Sequence, residues 1–297
     1  MKQHIGVLML MVTAVVWGSG FVVTDIGLDY LNAYQLMAGR FILAAILLII
    51  LFGYKFKKIT KRVIWKGAIL GAILYTGFVL QTVGLEYTTP SKNAFLTAVN
   101  VLVVPLIAYA VYKRKVDRFE VIGAVTALIG IALLSLQSSF TMNIGDILTL
   151  LCAVAFAFDI FYTNKFVQNE DAILLTIIQF ISAAVISALF VLVRGDIPTS
   201  IESIGTGGLF SIVYLAVFST IVAYLFQNIA FKYTSATQGA IILSMESFFG
   251  MVFSVVFLHE VLTGRMVMGA ALILAAIIFS EVKPTFGKRQ PKLLKPD

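Results

Sequence analysis

Ten mainly apolar stretches, each long enough to cross a bilayer, recur along this 297-residue chain. They are Ile5–Val23, Leu31–Phe52, Val63–Gly84, Ser91–Tyr112, Phe119–Gln137, Asp146–Asn164, Ala172–Val193, Gly208–Ile229, Thr237–Leu258 and Met266–Val282. A helix needs about 20 such residues to span the hydrocarbon core. Lipid offers the backbone no hydrogen bonds, so a spanning segment must be a helix or part of a closed barrel. These runs are too long and too continuously apolar for the alternation of a barrel strand. The expected fold is therefore an all-α integral membrane protein with ten transmembrane helices.

Composition agrees. Hydrophobic residues make up 60% of the chain and charged residues 12%, against about 45–50% and about 25% in soluble domains. One cysteine, Cys152, rules out an intrachain disulfide. His4 and His259 are far apart in sequence, and no metal-ligand spacing occurs, so neither metal nor cofactor is expected. The net charge of +7 would suggest nucleic acid in a soluble protein, but here the basic residues lie in short segments between apolar runs. Of the 22 Lys and Arg, 18 fall on the side of the N-terminus. Three, Lys92, Arg194 and Arg265, fall opposite, and Arg40 lies within a span. The positive-inside rule then places both termini in the cytoplasm of a bacterial-type inner membrane. The first apolar run continues past Trp17 without a small-residue cleavage pattern, so it reads as a retained span. Residues 283–297 form a basic cytoplasmic tail. The partners expected are the lipid bilayer and a small molecule, not nucleic acid; oligomeric state is left open.

The chain also resembles itself. Leu80–Ser135 aligns with Phe226–Glu281 at an offset of 146 without a gap. Gln81 then meets Gln227, Tyr87-Thr88 meets Tyr233-Thr234, Ala94 meets Ala240, and Gly123-Ala124 meets Gly269-Ala270. Thr13–Asp25 matches Cys152–Asn164 at an offset of 139, with Trp17 over Phe156 and Thr24 over Thr163. Residues 1–137 and 146–282 thus read as two copies of a five-helix unit. Five is odd, so the copies cross the membrane in opposite senses. Inverted repeats of this kind place a substrate site near the midplane, around a central cavity.

The strings Trp17–Phe21 (WGSGF), Leu80–Leu106 and Ser244–Glu260 resemble the EamA-type branch of the drug/metabolite transporter superfamily, and the resemblance covers essentially the whole chain. It implies a basket of helices around a central cavity and export or exchange of metabolites such as amino acids, amines or nucleobases. The family's usual proline after the ninth-span glutamate is missing from Glu246-Ser-Phe-Phe, which removes the basis for a proline kink there.

Ionisable residues inside a span are costly and are functional candidates by default. Glu246 lies midway along the ninth span, and the repeat places Asn100 opposite it in the fourth. Both are expected in a central substrate site, with Glu246 able to take up a proton in one transport state and release it in another. Asp159 sits among Phe156, Phe158, Phe161 and Tyr162, a setting suited to an organic cation; the alternative is a pairing with Lys165. Arg40 reads as a structural ion pair or an interfacial residue rather than a carboxylate clamp. Gln81 and Gln227 could bind substrate or tie helices together. Trp17 beside Gly18 and Gly20 could wall the cavity. The candidate substrate-binding set is Trp17, Gln81, Asn100, Asp159, Tyr162, Gln227 and Glu246. Gly67 and Gly71 are read as helix packing, Glu260 and Arg265 as an exposed ion pair, and Tyr75, Phe78, Tyr214, Phe218 and Tyr224 as packing or lipid-facing aromatics, with cavity lining as the alternative.

No catalytic residues are expected. The HEVLT string at 259–263 lacks the second histidine of a zinc peptidase, and no GxxxxGK[ST] loop is present. The expected function is secondary active transport by alternating access, in export or exchange, with proton coupling as a further expectation. An intramembrane enzyme and a channel-like protein are the alternatives.

Overall fold

The computed structural model describes residues 2–113, 142–197 and 204–282, with positions 122, 125, 126, 129, 130 and 133 between them. Every regular element among them is helical. In chain order they are α1 (Lys2–Leu28), α2 (Ala33–Phe52, continued by a 3-10 stretch Gly53–Lys58), α3 (Lys61–Leu85), α4 (Pro90–Thr97) and α5 (Asn100–Tyr112). Then follow α6 (Ile144–Val167), α7 (Ala172–Arg194), α8 (Gly205–Tyr214), a π-helical stretch Leu215–Val222, α9 (Ala223–Ala230), α10 (Ala236–Ser244), α11 (Glu246–Phe257) and α12 (Gly264–Val282). Eight helical runs among the described residues are long and apolar enough to cross a membrane. Where ten were expected, most of the fifth (Phe119–Gln137) and the basic tail lie outside the described residues. The tenth falls within α12, whose apolar stretch Gly264–Ala276 is shorter than the rest.

Local chemistry sets the helix starts. Asn32 and Gln35 form a reciprocal capping box at α2. Thr60 caps α3, and Thr89 caps α4 with Pro90 in the first turn, where a missing N–H costs nothing. Asp171 caps α7 by accepting from the N–H groups of Ile173 and Leu174. Gly195, at φ 72°, ends α7 in the left-handed conformation that glycine adopts without penalty. The turns after α1, α3, α6 and α9 are short, so successive helices run antiparallel.

The halves interleave. α1 packs against α9 and α11, α3 against α6 and α7, and α2 against α7. Gly18 permits the first of these contacts: a Cβ there would lie 2.5 Å from Phe249 Cβ and 2.9 Å from the Gly250 nitrogen. Gly67 and Gly71 likewise meet Ile178, Gln179 and Ser182 of α7 at close range, as a packing role predicts. The surface is apolar, with Leu8, Ile46, Ile50 and Val193 exposed, while Arg40, Asp159 and Glu246 are buried.

Two spans tighten near their middles. In the α4–α5 run Val99 and Val101 bond to carbonyls three residues back, while Ala98 and Val99 keep right-handed helical backbone angles. In the α10–α11 run Met245 bonds to Ile242 in the same way. These places are related by the 146-residue offset. Pro105 lies beyond the first, and the second has no proline, so the tightening is not a proline kink. Asn100 and Glu246 are the first residues of the segments that follow.

Candidate substrate cavity

Between the interleaved helices lies a small cavity of about 40 Å³. Six of the seven residues chosen from sequence line it: Trp17, Gln81, Asn100, Asp159, Gln227 and Glu246. They come from α1, α3, α5, α6, α9 and α11. Tyr162, the seventh, is not among the lining residues. It lies about a turn past Asp159 in a ring cluster, 5.3 Å from Phe161 and 5.7 Å from Phe166, with Lys165 Nζ 5.9 Å from its centroid.

Each lining group has a distinct situation. Asp159 is 2% exposed, and its Oδ1 accepts from Gln179 Nε2 at 2.9 Å. Lys165 is instead stacked over Tyr112 and Tyr162, so the pairing with Asp159 weighed from sequence does not form. Glu246 and Asn100 are 6% and 5% exposed, and among the described residues neither side chain has a hydrogen-bond partner. Gln81 Nε2 donates to Thr97 Oγ1 at 3.1 Å, tying α3 to α4 while facing the cavity. Gln227 is fully buried; its Nε2 donates to Asn228 Oδ1 at 3.3 Å, and its Oε1 has no partner. Trp17 faces the cavity rather than an interface, and its Nε1 donates to the Ser219 carbonyl at 2.9 Å.

The π-helical stretch explains that last bond. Shifting the backbone bonding by one residue frees carbonyls and re-aims side chains, a feature often found at functional sites. Ser219 O accepts from Trp17 and, at 3.2 Å, from Arg40 Nη2; Thr220 Oγ1 accepts from Arg40 Nε at 2.6 Å. Arg40 is 3% exposed and stacks over the Phe78 ring at 4.1 Å. It makes no ion pair among the described residues. The structural ion pair expected from sequence is replaced by hydrogen bonds and a ring face, which serve a buried guanidinium better than an interface could.

The walls are aromatic. Phe21, Phe78, Phe156 and Tyr224 line the cavity with Trp17, and Tyr224 lies 5.0 Å from Trp17 and 5.1 Å from Phe180. Phe78 and Tyr224 take the cavity-lining alternative rather than the packing or lipid-facing one. The available signal was spacing: Tyr224 lies three residues before Gln227 and so shares its helix face. Ser219 carried no signal, because no sequence pattern announced the π-helix. Elsewhere, Glu260 does not pair with Arg265; it accepts from the Ser91 N–H at 3.2 Å and from the Ser254 hydroxyl. A buried space lined by two carboxyl groups, one guanidinium, three amides and ring faces offers charge, hydrogen-bond and ring contacts to a small polar organic molecule.

The profile of the EamA-like transporter family matches residues 4–136 and again 143–281. The chain belongs to the EamA-like transporter family. Its family domain is duplicated, and the copies begin 139 residues apart, as the sequence matching of Thr13–Asp25 to Cys152–Asn164 had it. An Archaeoglobus fulgidus protein described as an uncharacterized transporter is 34% identical, over 92% of this chain and 85% of its own. A Salmonella typhimurium protein named "Probable amino-acid metabolite efflux pump" is 26% identical, over 93% and 94%. The Escherichia coli inner membrane transporter YedA is 26% identical, over 73% and 72%. A solved structure shares the fold at a TM-score of 0.69 and 15% identity, covering 94% of this chain and 96% of that one. This EamA protein is thus a multi-pass membrane transporter of a small molecule, embedded in the bilayer.

Proposed function

We propose that this EamA protein is a secondary carrier for small cationic or zwitterionic metabolites, amino acids and amines first among them, working by alternating access in export or exchange. In this reading ten spans form two inverted five-helix copies, 1–137 and 146–282, and both termini face the cytoplasm. Substrate binds beside Asn100 and Glu246, with Trp17, Gln81, Asp159 and Gln227 completing the site and Tyr162 outside it. Glu246 carries the coupled proton.

One observation supports this most: Asn100 and Glu246 open the helix segments that follow two repeat-related 3-10 turns and line one cavity, their side chains unpartnered. In carriers built from inverted repeats the substrate site lies between the repeats near mid-bilayer. Carboxyl groups beside ring faces favour a cationic centre through ion pairing and cation–π attraction. The Salmonella relative's name agrees with an amino-acid derivative as cargo. Because the halves interleave, movement is assigned to the 3-10 turns and mouths, not to rocking of two separate bundles.

The test is flux into proteoliposomes from a panel of amino acids, amines, purines and dicarboxylates, with and without a pH gradient. Saturable transport of a cationic or zwitterionic member is expected, and Glu246→Gln should abolish the pH-driven component while the protein stays folded. Unchanged transport and pH response in that variant would remove Glu246 from the mechanism. Exclusive transport of dianions would shift the site's chemistry to Arg40.

A further inference from the structure

The two mouths of the bundle are closed to different degrees, and the repeat relates them residue by residue. At the end where α6 finishes, Asn164 Nδ2 donates to the carbonyls of Phe231 (3.3 Å) and Thr234 (3.1 Å). Gln168 Nε2 donates to the same Phe231 carbonyl at 2.8 Å. Two amides thereby latch the end of α6 to the turn after α9.

Subtracting 139 from the amides gives Asp25 and Asp29, at the end of α1; subtracting 146 from the carbonyl residues gives Leu85 and Thr88, in the turn after α3. No latch joins them. Asp25, Asp29, Leu85, Glu86 and Thr88 instead line a vestibule of about 640 Å³. Leu85 also lines the central cavity, so this mouth leads to the substrate site. Neither aspartate side chain has a hydrogen-bond partner among the described residues.

The difference is chemical. Asn and Gln amides donate at any pH, whereas an ionised carboxylate only accepts and is repelled by a carbonyl oxygen; a protonated carboxyl regains one O–H donor. We infer that Asp25 and Asp29 are a proton-operated latch: on taking up protons from water in the vestibule, they donate to the Leu85 and Thr88 carbonyls and close this mouth. The closed state then binds protons that the open state lacks. Falling pH therefore favours closure, by about tenfold per pH unit for each proton bound. Other groups face the same space. Tyr30 lies on the same stretch and Glu86 at the end of α3. Glu260 after α11 acts electrostatically on Asp25, as does Asp29, and His259 adjoins it. The Lys92–Asp146 pair (2.9 Å) holds the hydroxyl of Thr88 through Asp146.

This inference rests on the inverted-repeat carrier reading, and its test is independent of transport. Spin labels at Tyr30→Cys and Tyr87→Cys, both exposed, in a Cys152→Ala background report the width of the mouth by pulsed electron resonance in nanodiscs. Between pH 8 and pH 5 the short-distance population should rise about tenfold or more. Asp25→Asn with Asp29→Gln, which copies the amides of the other mouth, should be short at both pH values. Asp25→Ala with Asp29→Ala should be long at both. A pH-independent distance in the parent overturns the latch. So does a parent-like pH response in the Asn/Gln variant, which would assign the response to Glu86, Glu260 or His259. Flux measured separately keeps the two readings apart: transport with a pH-independent mouth removes only the latch, and a pH-dependent mouth without transport of any panel member removes only the carrier assignment.

Discussion

Arg40 donates through Nε to the hydroxyl of Thr220 at 2.6 Å, deep inside the bundle and 180 residues away in sequence. The bond joins α2 to the π-helical stretch, and the Arg40–Ser219 and Trp17–Ser219 bonds complete a clamp on that stretch. A buried polar group that loses its partner costs about 1–3 kcal/mol. Arg40→Met should therefore lower the detergent melting temperature more than Thr220→Val, and a double-mutant cycle should show the two coupled. If Arg40→Met instead leaves the melting temperature intact and alters only substrate affinity, Arg40 is a substrate ligand and not a clamp.

Gln227 combines a bonded and an unbonded group. Its Oε1 is buried without a partner, but its Nε2 donates to the buried Asn228 Oδ1 at 3.3 Å, and leaving that acceptor unpaired costs about 1–3 kcal/mol. Gln227→Met should thus lower the melting temperature by that one lost donor. If the free oxygen serves substrate, the same variant should raise the transport KM roughly threefold to tenfold, the worth of one ordinary hydrogen bond. A fall in stability with unchanged KM would make Gln227 structural.

Two glycines of α1 should respond unequally. A Cβ on Gly18 meets backbone, the Gly250 nitrogen at 2.9 Å and the Glu246 carbonyl at 3.0 Å. A Cβ on Gly20 meets chiefly Ser219 Oγ at 2.7 Å, a hydroxyl that can rotate away. Gly18→Ala should cost about 1–3 kcal/mol as overpacking and displace the start of α11, impairing transport. Gly20→Ala should cost less. Thermal unfolding of both variants, alongside flux, checks the order.

Asp171 lies in the turn between α6 and α7, outside the spans. Burial pushes its carboxyl up. The hydrogen bond from Lys55, at 2.7 Å, and the N–H groups of Leu174 and Ile173 outweigh burial and hold it below the ordinary 3.8. A depressed folded-state value means the stabilisation is complete above the unfolded value and lost as pH falls through the folded one. The melting temperature should therefore drop on acidification below about pH 4, and the Asp171→Asn variant, which keeps a capping oxygen, should lose that component. Asp171→Ala should cost about 0.5–2 kcal/mol at neutral pH through the lost cap. An acid limb unchanged in Asp171→Asn would assign it to other carboxylates.

Sequence by itself determined the membrane class, the two-copy organisation and most of the polar residues of the site. Lipid leaves no alternative for a long apolar run, and it makes every buried Glu246, Asp159 or Asn100 conspicuous against its neighbours. Tertiary structure decided the rest, because it depends on which face of each helix meets which partner. The π-helical stretch turned Ser219 and Thr220 toward Trp17 and Arg40, a one-residue shift of backbone bonding that no side chain announces. Interleaving of the halves brought Phe78 and Tyr224 to the cavity and left Tyr162 outside it, since residues a turn apart on one helix can lie on either side of a cavity floor. The 3-10 turns at Val99 and Met245 formed with no proline at either residue, from backbone bonding that closes three residues back instead of four.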